Sequence, residues 1–268
     1  MVMGPWGAGK SYAWVRIAYW FSKGKEGDKV YVVDTDATVE RQSLAFDGFD
    51  KVVIGKDAPN YTYLISALDE CLLAAYPGKK IADIVRQSSM LDARKSPLRD
   101  SFLVVDLADK PREYSQNYYI EEAYGKEAAD YYLEFKKAGK GGNALADAYG
   151  TNWQIVNKHY DHYMNRVLKW PGHLMLCFPD DEIRQADSSG KGGEQDKEIL
   201  SAFGKYKVKP AGQKRVGFVT MTNLLLNPVG DEKWKYTSMK DLHRERPKGA
   251  EIKDFALDYL VKVAGWRM

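Results

Sequence analysis

The residues best suited to chemistry lie at the start of the sequence, where Gly4 to Ser11 reads Gly-Pro-Trp-Gly-Ala-Gly-Lys-Ser. This segment matches the phosphate-binding pattern G-x-x-x-x-G-K-[ST] at every fixed position. Its glycines let the backbone turn tightly and direct N–H groups at phosphate oxygens. Lys10 supplies a point charge for β- and γ-phosphates, and the Ser11 hydroxyl is suited to ligate Mg²⁺. The pattern predicts an ATP–Mg²⁺ site with the nucleotide-contacting residues Gly4, Pro5, Trp6, Gly7, Ala8, Gly9, Lys10, Ser11 and Tyr12.

A second chemical feature is the acidic end of the segment Lys29 to Asp34, in which residues 30–33 form an apolar run. Such a run predicts a buried parallel strand, and α/β sheets bind ligands at the carboxyl ends of these strands. Asp36 is therefore a candidate to orient or activate the water that attacks the γ-phosphate. The alternative is that Asp34 and Asp36 cap the next helical turn.

A third feature is Asp106, which ends the apolar run that begins at Asp100. A strand that ends in an acid is typical of the Mg²⁺-holding strand of phosphate-loop proteins. We expect Asp106 to bind the metal opposite Ser11, directly or through water. Asp180, after the apolar run 173–178, is a weaker candidate for sensing the γ-phosphate, because its residue type is not diagnostic.

These side chains require a sheet and helices to position them. A phosphate loop should follow a buried strand, yet only Met1, Val2 and Met3 precede Gly4, so the first strand is either very short or begins before this sequence does. Periodicity and breakers predict further strands at 29–34, 51–54, 100–106 and 173–178 and helices at 12–23, 38–46, 61–76, 79–95, 152–168 and 252–263. Residues 216–226 and 233–239 predict a pair of antiparallel strands.

Residues 107–150 interrupt this alternation with Tyr, Glu, Lys and Ala followed by a Gly-rich stretch. We interpret them as a helical insertion with a mobile tip, which serves as a lid or contacts a partner. Its tyrosines and lysines could stack on and neutralise a nucleic-acid strand, although solvated helices have the same composition. The Gly-rich segment 186–197 is a candidate DNA-binding loop or a plain linker.

The charge, the cysteines, the length of the apolar runs and the histidines bear on the partners, compartment and metal sites to be expected. A net charge of +3 permits nucleic-acid binding but does not argue for it. Cys71 and Cys177 lie far apart in apolar runs, which favours buried thiols in a reducing cytoplasm. No apolar run approaches the ~20 residues of a membrane helix, so we expect no membrane partner. His159 and His162 lack the further ligands of a metal site and are more simply surface or interface residues.

Taken together, these segments resemble RecA-like P-loop ATPases, and more narrowly the small AAA-type ATPases of bacteriophages that look like reduced RecA/RadA single-strand-annealing proteins. Three parts carry the resemblance: the phosphate loop, Val30 to Arg41, and Lys209 to Lys214 together with Tyr236 to Asp241. Asp36 stands where the family has its catalytic glutamate, with a shorter side chain. Residues 107–150 fall outside the resemblance.

The resemblance implies one RecA-like domain over residues 1–268, with a mostly parallel central sheet flanked by helices, C-terminal antiparallel strands and the helical insertion. It also implies a homo-oligomer in which lysines of one subunit reach the neighbour's γ-phosphate. Lys214 and Lys240 are the candidates here, with Arg244 as a third, and a solvent-facing role is the alternative for each.

The function expected from the resemblance is Mg²⁺-dependent ATP hydrolysis coupled to DNA, single-stranded DNA in particular, during phage recombination or replication in the host cytoplasm. A nucleotide or small-molecule kinase would share the loop and Asp106, but it usually needs an arginine-bearing lid, and the insertion offers Arg112 without an arginine cluster. A phage assembly or packaging ATPase, or a nucleotide-binding regulator that seldom turns over, is the third alternative.

Overall fold

The protein is described by a computed structural model in which one α/β sheet is covered by helices on both faces. Nine strands of the described residues form this sheet. They are β1 (Val2–Gly4), β2 (Val30–Asp34), β3 (Val53–Asp57), β4 (Phe102–Asp106), β5 (His173–Glu182), β6 (Val208–Pro210), β7 (Thr222–Pro228), β8 (Trp234–Asp241) and β9 (Glu251–Ile252). The structure describes residues 1–24, 27–86, 95–139, 145, 150–184, 197–212, 216–228, 234–242, 249–252, 254–262 and 265.

Helices connect most of these strands. They are α1 (Lys10–Ser22), α2 (Val39–Gln42), α3 (Phe49–Val52), α4 (Tyr61–Ala75), α5 (Ile81–Arg86), α6 (Lys110–Tyr124), α7 (Ala128–Lys137), α8 (Thr151–Val167), α9 (Lys197–Phe203), α10 (Val216–Val219) and α11 (Phe255–Lys262). Among the described residues no helix has the length and apolar character needed to cross a bilayer.

The strand order is β3-β2-β4-β5-β1-β7-β8-β9, with β6 paired to the extended end of β5. The six strands from β3 to β7 in this order run parallel. β6, β8 and β9 are antiparallel to their neighbours. The predicted mostly parallel sheet with C-terminal antiparallel strands is therefore confirmed.

The central strands are apolar throughout because both of their faces are buried. Val30 and Val32 belong to the cluster that contains α1 and α11, whereas Tyr31 and Val33 belong to the cluster that contains α4 and α8. Successive side chains of a strand point to opposite faces. The absence of polar alternation in β2 thus reflects two cores, one on each side of the sheet.

The strand before the phosphate loop is short but central. In β1, Val2 pairs with Cys177 on one side and Leu224 on the other, and Met3 pairs with Phe178 and Leu225. Met3 is fully buried. Three residues suffice because both neighbouring strands satisfy their backbone groups.

Several predicted boundaries are corrected by the structure. The predicted strand 216–226 is wrong in its first half, which forms α10 before β7 begins. Its turn is held by local polar contacts, since Asn223 Nδ2 donates to the Gly217 carbonyl at 2.8 Å and Thr220 Oγ1 donates to the same oxygen at 3.3 Å. Side chains of this kind compete locally with a strand ladder.

Other boundaries moved less. β5 continues through Pro179 to Glu182 instead of ending at Phe178, because β6 pairs with this extension. The predicted helix 38–46 is only the short α2, and the predicted strand 51–54 is replaced by α3 followed by β3. Ile252 belongs to β9, so the closing helix begins at Phe255. Of the predicted helix 79–95, α5 covers 81–86 and residues 87–94 lie outside the described part.

Candidate phosphate and metal site

The parallel register brings the predicted site residues to one edge of the sheet. Asp34 is level with Asp106, Asp106 is level with Cys177, and Gly4 is level with Pro179. The carboxyl ends of β2, β4, β5 and β1 therefore meet at this edge, which we call the carboxyl edge. It is the position at which open α/β sheets bind their ligands.

The phosphate loop joins β1 to α1 at the carboxyl edge. Gly7 and Gly9 have positive φ angles of 76° and 80°, a region that other residues avoid. Ala8 is buried and donates its N–H to the Pro5 carbonyl at 3.2 Å, which closes the turn. Trp6 is 72% exposed at the tip of the loop. The amino end of α1, with its unpaired N–H groups and positive dipole end, thus starts at Lys10 within the loop.

Lys10 is held inside the loop. Its side chain is buried, and Nζ donates to the Gly4 carbonyl at 3.0 Å and to the Pro5 carbonyl at 2.9 Å. Burial lowers the pKa of Lys10, and the charges of Asp106, Asp180 and Asp109 partly offset that effect. The ammonium group is therefore poorly solvated, and a phosphate oxygen would replace the water that burial removes. The nearby acids oppose an anion at this place unless a cation such as Mg²⁺ neutralises them.

Asp106 is the most buried acid of the site. It has no exposed surface, and Trp14 Nε1 donates to its Oδ2 at 2.8 Å. Burial raises the pKa of Asp106, against the opposing influence of the neighbouring Ser11 hydroxyl and the Trp14 indole. Its other oxygen, Oδ1, is buried without a hydrogen bond from the described residues. One carboxylate oxygen is thus fixed and the other is left for a ligand.

Asp34 has a structural role. Its Oδ1 accepts from the N–H groups of Asp36 at 3.2 Å and Thr38 at 3.1 Å, and its Oδ2 accepts from that of Val39 at 2.8 Å. Both oxygens are occupied by the turn that leads into α2. The capping interpretation is therefore correct for Asp34.

Asp36 differs from Asp34 although only one residue separates them. Its Oδ1 is buried and accepts no hydrogen bond from the described residues. Burial, then the charge of Asp106 and then Asp34, raise the pKa of Asp36 to about 7. A carboxylate with a pKa near neutrality is suited to accept a proton from water.

Two side chains of this site have the chemistry to ligate a divalent cation. The described residues contain no group of three or more His, Cys, Asp or Glu side chains placed to hold a metal ion. Mg²⁺ in phosphate sites usually takes one or two protein ligands and fills its shell with phosphate oxygens and water. The buried and unpartnered Oδ1 of Asp106 and the nearby Ser11 hydroxyl are such ligands, and they fit the ion.

The structure adds three site residues that the sequence did not identify. Trp14 fixes Asp106, and Thr35 links the ends of β2 and β4. Asp109 carries a third buried oxygen, Oδ1, without a hydrogen bond from the described residues, and burial raises its pKa. The position of Trp14, one helical turn after Ser11, was the available signal for its contact with the site.

Lys214 and Lys240 are the two lysines expected to reach the γ-phosphate of a neighbouring subunit. Lys214 lies outside the described residues, as does Arg244. The segment before Lys214 reaches the carboxyl edge, because Ala211 N–H donates to the Pro179 carbonyl at 2.9 Å and a Cβ at Gly212 would lie 3.2 Å from Asp109 Cα.

Lys240 lies at the amino-terminal ends of the parallel strands, opposite the carboxyl edge. It is level with Asn223 near the start of β7, whereas the phosphate loop follows the other end of β1. Its Nζ donates to the Thr220 carbonyl at 2.6 Å and the Gly217 carbonyl at 3.3 Å, and burial lowers its pKa. Lys240 is therefore remote from the phosphate loop of its own chain.

Other singled-out residues have packing roles. The His159 ring packs at 5.5 Å from the Tyr61 ring and 5.1 Å from the Tyr118 ring, and burial lowers the pKa of both His159 and His162. Both cysteines are buried, as predicted. Within 107–150 the structure shows α6 and α7, and Arg112 packs on the Trp153 ring at 5.6 Å.

Comparison with known proteins assigns no function to this chain. No protein-family model and no curated protein matches the chain. Because one fold serves many functions, the function must be argued from the arrangement of these side chains.

Proposed function

We propose that this chain is a Mg²⁺-dependent, ATP-binding and ATP-hydrolysing P-loop protein with a RecA-like core that acts on DNA. The observation that carries the proposal is the carboxyl edge itself. There a complete phosphate loop with a buried lysine lies beside two acids in different environments, Asp106 and Asp36. This combination supplies a phosphate cradle, a metal ligand and a base.

Each residue has a distinct role in the proposed reaction. The backbone of Gly4 to Gly9 and the Lys10 ammonium hold the β- and γ-phosphates. Ser11 and Asp106 would hold Mg²⁺, which would neutralise charge on the phosphate oxygens. Asp36 orients the attacking water and accepts its proton, because its pKa of about 7 leaves much of it ionised at neutral pH.

The DNA and oligomer parts of the proposal rest on the resemblance in the sequence. In the insertion, Tyr124 is exposed beside the exposed acids Glu121, Glu122 and Glu127, which oppose a phosphate backbone. The Gly-rich segment 186–197, the other candidate DNA-binding loop, carries Lys191 and Lys197 against three acids, so charge favours neither candidate, and residues 186–196 lie outside the described part. The buried cysteines support a reducing compartment, so we also propose the host cytoplasm as the site of action.

The proposal is tested by ATP hydrolysis of the purified protein with and without single-stranded DNA, run alongside a sizing column. We expect turnover that single-stranded DNA stimulates, with a shift to larger species that higher salt reverses. Hydrolysis indifferent to DNA would favour the assembly or packaging ATPase, or the kinase, over DNA action.

The phosphate loop is tested in the same assay by Lys10→Ala. We expect turnover to be lost, because the loop lysine stabilises charge on the transferred phosphoryl group. Lys23→Ala is the matched control, since Lys23 is an exposed lysine at the other end of α1. Unchanged turnover in Lys10→Ala would remove the loop from the mechanism.

A further inference from the structure

Thr35 lies between the two proposed catalytic acids, directly before Asp36 and beside the end of β4. It is buried, and its hydroxyl makes two hydrogen bonds with one residue, Leu107. Thr35 Oγ1 accepts from Leu107 N–H at 2.6 Å and donates to the Leu107 carbonyl at 2.9 Å. Leu107 directly follows Asp106, so the hydroxyl joins the neighbours of both acids.

The backbone of Thr35 adds two further links. Its N–H donates to the Asp106 carbonyl at 2.7 Å, and its carbonyl accepts from Tyr114 Oη of α6 at 3.0 Å. Every polar atom of Thr35 is therefore used, and three of the four links go to Asp106 or Leu107. We call this set of contacts the Thr35 clamp.

The pairing of β2 with β4 stops before Asp36, so other contacts must hold Asp36 near the end of β4. The register between β2 and β4 ends at Asp34 and Asp106, and Asp36 lies two residues beyond it. Asp34 holds the turn from the side of α2, through its bonds to the N–H groups of Asp36, Thr38 and Val39. Of the contacts on this turn, the Thr35 clamp is the set that ties it to the β4 end, where the metal ligand is.

We propose that Thr35 is a positioning residue that sets the distance and direction from Asp36 to Asp106, so that the water oriented by Asp36 and the Mg²⁺ that Asp106 would hold meet at the same phosphoryl group. This inference rests on the proposed function. None of the four links of the Thr35 clamp goes to the phosphate loop, so the loss of the hydroxyl should leave nucleotide binding intact and lower the rate of the chemical step. A displacement of about 1 Å at a reacting group can cost about 100-fold in rate.

The test uses Thr35→Val, which keeps the branched shape and removes both hydroxyl bonds. We expect kcat for ATP to fall about tenfold or more while KM stays within about twofold, as for a lost interaction made only in the transition state. Thr35→Ser retains the hydroxyl, and we expect it to restore kcat to within about threefold of the wild type.

The matched control is Ser96→Ala. Ser96 is as buried as Thr35, and its hydroxyl likewise donates to a carbonyl, that of Ala75 at 2.6 Å, and accepts from an N–H, that of Leu98 at 3.1 Å, on the amino-terminal side of β4. We expect it to lower thermal stability and to leave kcat unchanged. A loss of kcat in Ser96→Ala equal to that in Thr35→Val would overturn the inference, because general destabilisation would then explain both.

Two further outcomes separate the inference from the function on which it rests. Wild-type kcat in Thr35→Val, with Asp36→Asn inactive, overturns the clamp and leaves the ATPase standing; an inactive wild type overturns both. If Thr35→Val does not fold, Tyr114→Phe removes one link of the clamp and keeps the hydroxyl pair. We then expect kcat to fall about threefold at constant KM, and an unchanged kcat overturns the inference.

Discussion

At the scale of single residues, the site shows how environment gives different properties to side chains of one type. Asp34, Asp36 and Asp106 are all aspartates at the carboxyl edge. Asp34 has both oxygens in backbone hydrogen bonds, Asp106 has one oxygen bound to Trp14, and Asp36 has a buried oxygen without a partner among the described residues. Hydrogen bonds favour the ionised form, whereas burial beside other acids opposes it. The capping role of Asp34 and the proposed roles of Asp106 as metal ligand and Asp36 as base follow from these differences.

The role of Asp36 leads to a prediction about turnover and its pH dependence. Asp36→Asn should bind ATP normally and hydrolyse it at least ~100-fold more slowly, because general-base catalysis contributes about 10²–10⁴-fold. In the wild type, the base must be ionised, so kcat/KM, which follows the free enzyme, should fall as the pH drops through about 7 and level off above it. Steady-state kinetics from pH 5.5 to 9 checks both points, with Asp34→Asn as a structural comparison. Turnover that survives in Asp36→Asn would transfer the role to another acid, such as Asp109, whose Oδ1 accepts no hydrogen bond from the described residues.

The same residue makes a prediction about stability without nucleotide or metal. The pKa of Asp36 in the fold is about 7, above its ordinary value of 3.8, so the folded state binds the proton more tightly than the unfolded chain. Ionised Asp36 therefore destabilises the fold, and this effect grows as the pH rises from about 4 to about 7. Asp36→Asn should raise Tm at pH 8 and leave it nearly unchanged at low pH.

The size of this effect is limited because Asp36 is only partly buried. We expect about 1 kcal/mol at pH 8, which is about 2–4 °C in Tm for a chain of this length. Thermal unfolding at pH 8 and pH 4, with EDTA present, measures the difference. A Tm gain of equal size at both pH values would contradict the assigned protonation.

At the scale of elements, α1 connects the phosphate loop to Asp106, the proposed metal ligand. Its first residue is Lys10, and one turn later Trp14 donates to Asp106 on β4. The same helix packs against α11 and α3 on one face of the sheet, and Trp14, Ile17 and Phe21 are buried in the core on that face. A shift of α1 would therefore move the loop and the metal ligand together.

The contact between Trp14 and Asp106 gives a prediction for α1. Trp14→Phe removes the indole N–H and leaves a buried carboxylate oxygen without its donor. Trp170→Phe is the control, because Trp170 is also buried and its Nε1 donates at 3.2 Å to a neutral acceptor, the Ser101 carbonyl. We expect Trp14→Phe to lose about 1–2 kcal/mol more than the control, since bonds to charged groups are the stronger ones. Urea unfolding at pH 8 measures both, and equal losses would contradict a charged Asp106 partner.

At the scale of the whole molecule, the phosphate loop and Lys240 lie at opposite edges of one sheet. Within a single chain they cannot form one site. In a head-to-tail assembly, however, one edge of a subunit faces the other edge of its neighbour. The proposed homo-oligomer would therefore complete each ATP site with Lys240 of the next copy.

This arrangement predicts complementation between two inactive variants. Lys10→Ala lacks the loop lysine, and Lys240→Ala lacks the residue donated to the neighbour. We expect each alone to turn over ATP at less than about a tenth of the wild-type rate, and their mixture to recover part of it because some interfaces carry both lysines. The mixture is assayed with single-stranded DNA after co-assembly.

The control for complementation is a mixture of Lys10→Ala with Asp36→Asn. Both changes affect the same side of the interface, so no interface in that mixture regains a complete site. Activity in this control would point to contaminating enzyme. A mixture of Lys10→Ala and Lys240→Ala that stays inactive would limit Lys240 to its bonds with Thr220 and Gly217 in its own chain.

The sequence by itself determined the local parts of this protein. The phosphate loop, the acid-terminated strands β2 and β4, and the long helices α1, α4 and α8 follow from glycine positions, continuous apolar runs and helical spacing. Each of these signals is local, because it depends on backbone geometry or on burial of one segment. The α/β class followed from the alternation of strands and helices, the mostly parallel sheet was implied by the family resemblance, and the structure confirmed both.

Only the tertiary structure decided which segments are neighbours. The register between β2 and β4 brought Asp36 close to Asp106, and the pairing of β5 with β6 extended β5 past Pro179. The pairing of β7 with β8 placed Lys240 at the far edge. The short β1 and the helix α10 were ambiguous in sequence for the same reason. Strand pairing and burial join residues far apart in the chain, and no local pattern specifies which partner a strand, a hydroxyl or a carboxylate will find.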